Sequence, residues 1–233
     1  MNKIRLESIN KLYGTEPNIV HALKNVTLNI DDGELLAIMG RSGSGKSTLL
    51  KVLGGLTSIQ SGEYYYGGKI LKNKENQMSK FRNQHIGFIV QNYALLFDRS
   101  VYDNVELPLR YSHVTRKKRE EMVMDILEKI GMDDLVDRFP GELSGGECQR
   151  VAIARAIVNN PEIILADEPT GALDEETEKL IMDILINLNK EGKTIIIVTH
   201  DPQIANQLNR IVYLKNGEIL PTSDSRYVFK SDS

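Results

Sequence analysis

The 233-residue chain holds a single cysteine, Cys148. A lone cysteine excludes an internal disulfide and fits a reducing compartment. Neither sign of charge dominates: 29 lysines and arginines stand against 32 aspartates and glutamates, a net charge of −3. Without a basic tail to meet a phosphate backbone, the chain is not expected to bind nucleic acid. The opening MNKIRLESINKLYG lacks the apolar stretch of a secretory signal. No run approaches the ~20 apolar residues that cross a bilayer. These absences predict a chain that is soluble on its own, and leave open work at a membrane through a partner. What is present is an ordinary globular balance, 41% hydrophobic and 26% charged, long enough for one large domain.

The order of apolar runs and breakers predicts the fold. KIRLESI and ALKNVTLNI alternate as strands do, ELLAIM (34–39) is a short buried strand, and KSTLLKVLGG (46–55) is a helix closed by two glycines. GEYYYGGKI predicts a strand with a turn at Gly67–Gly68, and HIGFIVQ (85–91) a strand ending on a polar residue. Then TRKKREEMVMDILEKIG places Met122, Ile126, Leu127 and Ile130 at helical spacing, which predicts a helical insert. Strand and helix alternate again: helix 145–159, strand 162–167, helix 175–190, strand 194–199, helix 202–208, strand 210–214 and a turn at NGEI. The tail SDSRYVFKSDS has little to bury and is expected to fray. Alternation of this kind implies an α/β fold with a mostly parallel sheet core. Ligands of such sheets bind at the carboxyl ends of the strands, so polar residues there matter most.

Four strand ends carry chemistry. GRSGSGKST (40–48) contains Gly40, Gly45, Lys46 and Ser47 at phosphate-loop spacing, after a strand and before a helix. Glycines let backbone N–H groups turn toward phosphate oxygens at a positive helix end. Lys46 is expected to neutralise the β- and γ-phosphates, and the Ser47 hydroxyl to ligate Mg²⁺. IILADEP (163–169) ends in two carboxylates. Asp167 is expected beside the phosphate loop, holding Mg²⁺ through water. By strand alternation Glu168 would point to the opposite side and act as general base on the attacking water. TIIIVTHD (194–201) ends in His200, read as a γ-phosphate contact that orients the water. Gln91 ends its strand in the same way, able to sense Mg²⁺ or the water. Tyr13, in a loop KLYGT, offers a ring to stack on adenine; packing on the sheet edge is the plainer alternative.

One stretch has no obvious use. In ELSGGECQR (142–150), Ser144 and Glu147 have capping-box spacing, so a helix should begin there. Yet Gly145 and Gly146 sit in its first turn, where each costs up to roughly 1 kcal/mol against alanine.

Together these residues make the chain resemble the ATP-binding subunit of an ABC transporter, over nearly all its length. Tyr13 matches the A-loop aromatic, 40–48 Walker A, Gln91 the Q-loop, LSGGE (143–147) the signature motif, 163–168 Walker B, GALD (171–174) the D-loop and His200 the H-loop. The resemblance implies a P-loop NTPase fold with an antiparallel β subdomain at the N-terminus and an inserted α-helical subdomain. The implied division is 1–91 and 143–225 as core, 92–142 as helical subdomain and 226–233 as tail, in one ATPase domain. It implies ATP and Mg²⁺ as cofactors. Gly40, Arg41, Ser42, Gly43, Ser44, Gly45, Lys46, Ser47 and Thr48 would hold nucleotide, with Ser47, Gln91 and Asp167 on the metal and Lys46, Gln91, Glu168 and His200 in the reaction. Two subunits would pair head to tail, each ATP lying between one phosphate loop and the partner's signature. Ser144, Gly145, Gly146 and Asp174 would then complete the partner's site, which gives the bare helix start a use. Cys148 lies beside those glycines, and alkylating an accessible thiol there should slow closure.

Residues 81–109 are similar to small ATPases that pair with four-helix permeases of the macrolide-efflux, lipoprotein-releasing, cell-division and peptide-antibiotic-resistance type. Arg41 and Cys148 depart from the commoner proline and glutamine, at no catalytic position. The implied function is ATP hydrolysis at the cytoplasmic face of the cell membrane, peripheral through a permease docked on 92–142 with Gln91 as hinge. The permease would export or mechanically extract a peptide, lipid-linked or drug-like substrate. TRKKREE reads as a solvated helix start and not a lipid patch, since glutamates follow at once. An importer subunit is the alternative, although only residues 201–233 follow His200 where many importers carry a further domain. A soluble ATPase acting on DNA or ribosomes fits less well, for want of a long coiled coil or a second ATPase unit.

Overall fold

A computed structural model describes residues 2–72, 74–112 and 114–221. The chain falls into two units, Met1–Phe81 with Ile196–Ser233, and Arg82–Ile195.

In the first unit β1 (Asn2–Tyr13) and β2 (Val20–Asp31) run antiparallel, with β4 (Ser61–Tyr66) on the other edge of β1 and β5 (Lys69–Ile70) beyond it. Along β2, Val26, Leu28 and Ile30 are buried and Thr27 and Asn29 exposed, as a half-buried strand requires. The pattern slips by one residue at Asn25, where φ is +47° and the register with β1 shifts. Ile4, Leu6, Ile9, Leu23 and Ile30 are fully buried, each stabilising the unit by about 1.5–3 kcal/mol.

β3 (Leu35–Met39) is buried along its whole length and pairs in parallel with β9 (Arg210–Lys215), which turns at Asn216 and Gly217 into β10 (Glu218–Ile219). A strand buried on both faces has no alternation, which is why LLAIM reads as a continuous apolar run. After β3 comes α1 (Lys46–Leu53), burying Leu49, Leu50, Val52 and Leu53. α2 (Glu75–His85) is not legible in the sequence: it buries only Met78 and Phe81, too few for a helical stripe. Phe81 packs edge-on against Tyr64 and Tyr66. α7 (Pro202–Ala205) is shorter than expected, capped by Asp201 and ended after one turn. The tail 223–233, expected to fray, lies outside the described residues.

In the second unit β6 (Ile86–Ile89) and β7 (Ile163–Asp167) pair in parallel, and α5 (Gly145–Ile157) lies tightly on β6. A Cβ at Gly87 would run into the Ala156 carbonyl, so only glycine allows that approach. α3 (Val101–Glu106), α4 (Arg116–Lys129) and short 3₁₀ turns fill the stretch to Glu142. They close over a core of Val101, Val105, Leu109, Val123, Leu127 and Met132 against Val151 and Ala152 of α5. Within α4 the buried pair is Val123 and Leu127; Met122 and Ile126 are only half-buried at its rim. Glu106, almost fully buried, ties α3 to α4 by accepting from Arg119 at 2.8 Å and from Arg110 at 2.6 Å. Those two guanidiniums more than offset burial and hold its carboxyl below the usual range. α6 (Glu175–Lys190) completes the unit. β8 (Thr194–Val198) is buried throughout and crosses the boundary between the units. The folded chain thus combines mixed sheets with covering helices, the α/β class that the alternation implies.

Candidate functional site

The first unit carries the phosphate loop. β3 ends at Met39, and the chain turns through residues 40–45 into α1. Gly40 has no room for a side chain, since a Cβ would meet the Leu214 carbonyl and the Ser44 hydroxyl. Gly45 caps α1 in the left-handed region, φ +105°, with the Ala22 carbonyl 2.5 Å from where its Cβ would be. No side chain caps α1 and no acidic residue stands in its first turn, which leaves a positive helix end facing the loop. Lys46 folds back, its Nζ donating to the Gly40 carbonyl at 2.7 Å and the Arg41 carbonyl at 3.1 Å. Ser44 Oγ is buried without a hydrogen-bond partner among the described residues, an orphan that a phosphate oxygen would satisfy. Arg41, Ser42, Gly43 and Ser47 are exposed, and Thr48 is half-buried. The loop fits an oligophosphate.

Two more residues belong to this unit. His200 is exposed and lies two residues beyond the end of β8, not at its last position. The Thr199 N–H just before it donates to the Ile38 carbonyl, which brings His200 to the same end of β3 as the loop. Tyr13 is the last residue of β1 and not a loop residue, because pairing with Val20 extends the hairpin to it. The residue is 39% exposed, with Lys11 Nζ 4.8 Å from the ring centroid.

The second unit carries the carboxylates. Asp167 closes β7, and Gln91 stands two residues past β6. Ile89 pairs with Ala166, so both lie at the same end of the strand pair. Glu168 does not continue the strand: its φ is +48°. Strand alternation therefore says nothing about its direction, and the expectation that it points opposite Asp167 is withdrawn; the turn aims it instead.

α5 begins as the capping box requires. The Ser144 hydroxyl accepts from the Glu147 N–H at 3.3 Å, and the Glu147 carboxylate accepts from the Ser144 N–H at 2.7 Å and from its hydroxyl at 2.8 Å. The Ser144 N–H and hydroxyl hold the Glu147 carboxyl below its ordinary value. Ser144 and Gly145 are exposed and Gly146 half-buried. A Cβ on Gly146 would meet the Thr177 methyl at 2.5 Å. Asp174 caps α6 by accepting from the Thr177 N–H at 2.9 Å and its hydroxyl at 2.7 Å. The Cys148 thiol faces inward: it is buried in the helical core and donates to the Pro140 carbonyl at 3.6 Å, and burial pushes its pKa up. Position 148 is on the core side of α5, so the expected alkylation of an interface thiol is withdrawn.

Sequence reasoning missed one feature. After Gln91, Asn92, Tyr93 and Ala94 all have positive φ, +64°, +62° and +47°. Left-handed backbone costs of order 1 kcal/mol or more per residue outside glycine. Arg155 of α5 opposes that cost. Its two terminal nitrogens donate to the Tyr93 carbonyl at 2.8 Å and the Ala94 carbonyl at 2.6 Å. Nothing in QNYAL announces the turn, since only asparagine among its residues favours it.

The family described as ABC transporter matches residues 23–171. The macrolide export ATP-binding/permease protein MacB of Aggregatibacter actinomycetemcomitans is 45% identical over 98% of this chain, which spans 36% of that protein's length. The uncharacterized ABC transporter ATP-binding protein YknY of Bacillus subtilis (strain 168) is 45% identical over 96% of this chain and 97% of its own. The dimeric structure of a bacterial ABC transporter cassette superposes with a TM-score of 0.86 at 43% identity, covering 94% of this chain and 97% of that one. A dimeric post-hydrolysis state of an ATP-binding cassette, bound to ADP and Pi, gives 0.86 at 41% identity over the same shares.

Proposed function

This chain belongs to the ABC transporter family and is an ATPase, and from that premise we propose that two copies close head to tail around two ATP molecules to drive a separate membrane permease. The observation that carries the reading is the first turn of α5. It is exposed and glycine-lined, yet correctly capped by Ser144 and Glu147. Its own unit makes no use of Gly145 and Gly146 beyond close packing, whereas a γ-phosphate from a partner chain would meet bare N–H groups there.

The roles follow from side-chain chemistry. Lys46 exchanges the Gly40 and Arg41 carbonyls for β- and γ-phosphate oxygens. The buried Ser44 hydroxyl gains the partner it lacks. Tyr13 stacks on adenine. Glu168 accepts the proton of the attacking water and His200 orients that water. Ser144, Gly145, Gly146 and Asp174 act on the partner's nucleotide.

Ser47, Asp167 and Gln91 are the residues that would hold Mg²⁺. Among the described residues no cluster of three His, Cys, Asp or Glu side chains could hold a metal. The ion would be taken mostly by phosphate and water oxygens, with the Asp167 carboxylate, the Ser47 hydroxyl and the Gln91 amide. The ion would neutralise charge developing on the phosphate oxygens.

No helix among the described residues is long and apolar enough to cross a membrane. The transporter family supports a membrane permease as partner, which we place on residues 92–142 at the cytoplasmic face. The macrolide-export name of one relative favours export over import; the substrate class we propose is drug-like, peptide or lipid-linked, exported or mechanically extracted.

Glu168→Gln tests the reading. Its amide cannot take the proton, so ATP should bind and turnover should nearly vanish. Bound, unhydrolysed ATP should shift the variant from monomer to dimer on size exclusion. Hydrolysis at the wild-type rate would remove Glu168 from the base role, and no shift with ATP bound would count against the pair.

A further inference from the structure

Arg155 sits in the last turns of α5, half-buried, and no carboxylate pairs with it among the described residues. Burial lowers its pKa, with no acidic neighbour to raise it again. A cation placed so is costly unless its donors are used. They are used on two successive backbone carbonyls, Tyr93 and Ala94. Extended backbone points successive carbonyls to opposite sides, so one planar guanidinium could not take both. A left-handed turn brings them round to one side, and residues 92–94 make that turn. The turn is closed further by the Tyr93 N–H to the Val90 carbonyl at 3.1 Å and the Ala94 N–H to the Asn92 carbonyl at 2.6 Å.

Tyr93 also reaches the other end of the same helix. A Cβ built on Gly145 would stand 3.0 Å from the Tyr93 hydroxyl oxygen. Gly145 and Arg155 are separated along α5 by about 15 Å of helix. One residue of the turn therefore touches α5 at its glycine start and, through its carbonyl, near its end. The residue before the turn is Gln91.

We propose that Arg155 is a positioning residue, a latch that holds the left-handed turn 92–94 on α5 and so fixes Gln91 relative to the glycine start of that helix. This rests on the assignment of Gln91 to the ATP reaction. The latch is a bidentate fork, which lysine reproduces only in part and glutamine loses as a cation. Arg155 touches no reacting atom. Its loss should leave nucleotide affinity nearly intact and slow the chemical step, because misplacement by an ångström costs up to about a hundredfold.

Hydrogen exchange on the wild-type protein gives the first test and needs no variant to fold. The Tyr93 and Ala94 amides should be protected as strongly as the last turn of α5. Exchange as fast as at exposed Asp98 would overturn the latch. In Arg155→Lys and Arg155→Gln the same amides should exchange at least about tenfold faster, with α6 unchanged. kcat should fall about tenfold or more in Arg155→Gln and less in Arg155→Lys, and nucleotide affinity should stay within about threefold. Gln91→Ala, assayed in parallel, separates the two possible failures. An unchanged kcat in Arg155→Gln with a lowered kcat in Gln91→Ala would overturn the latch. An unchanged kcat in both would overturn the role of Gln91 on which it rests.

Discussion

Tyr13 ends β1 partly exposed, with an ammonium, Lys11 Nζ, 4.8 Å from its ring centroid. A π-face is indifferent to which purine it meets, so Tyr13→Ala should weaken ATP and GTP alike. The loss should be about 1 kcal/mol, less than tenfold in Kd, measured by fluorescence titration. Unchanged affinity would leave the ring a packing element. The residue scale also marks where sequence reading stops. Asp167 and Glu168 are legible as a carboxylate pair on an apolar strand, but the +48° φ that aims Glu168 is not. Cys148 is legible as a neighbour of the glycines, but not its face. Its inward direction follows from the helical phase of α5, on which Val151 and Ala152 also bury.

Among the elements, α5 is the most fully legible, because its cap is written in side chains. Ser144 and Glu147 form the reciprocal bonds that their spacing implies. Glu147 titrates lower folded than unfolded, held there by the Ser144 N–H and hydroxyl. The stability this adds is fully present above the ordinary carboxyl value of 4.5 and is lost as pH falls through the lower folded value. Wild type should therefore melt above Glu147→Gln at neutral pH, with the gap closing below about pH 4.5. The gap should be small, about 0.5 kcal/mol, because the carboxylate is only half-buried. A gap that holds constant from pH 7 to 3 would contradict the charge contribution. α6 was legible in its extent, 175–190, but its cap was not: Asp174 reads only as a residue of the partner's site. α2 and the turn 92–94 were not legible. The first buries two side chains in an otherwise polar run, and the second is held by an arginine from a distant helix. Neither leaves a periodic trace.

At the scale of the whole molecule, the chain spans 97% of one relative and 36% of another whose name joins an ATP-binding part to a permease. In that second relative, ATP binding and the permease share one polypeptide by name. The proposed function gives the exposed start of α5 a share in the ATP of a second copy of this chain. The central claim is that each nucleotide site takes its phosphate loop from one chain and its signature from the other.

Mixing two inactive variants tests this. Lys46→Ala removes the phosphate-loop cation. Ser144→Arg puts a bulky side chain at the glycine turn and also loses a cap worth about 1 kcal/mol, so its melting is checked first. In a mixed dimer, one site combines both lesions and the other combines an intact loop with an intact signature. The measurement is ATP hydrolysis of the mixture, with mixed dimers verified by differently tagged chains. The shared site predicts recovery, up to one working site per mixed dimer. If mixed dimers form and hydrolysis stays at the level of either variant alone, the result counts against the shared site.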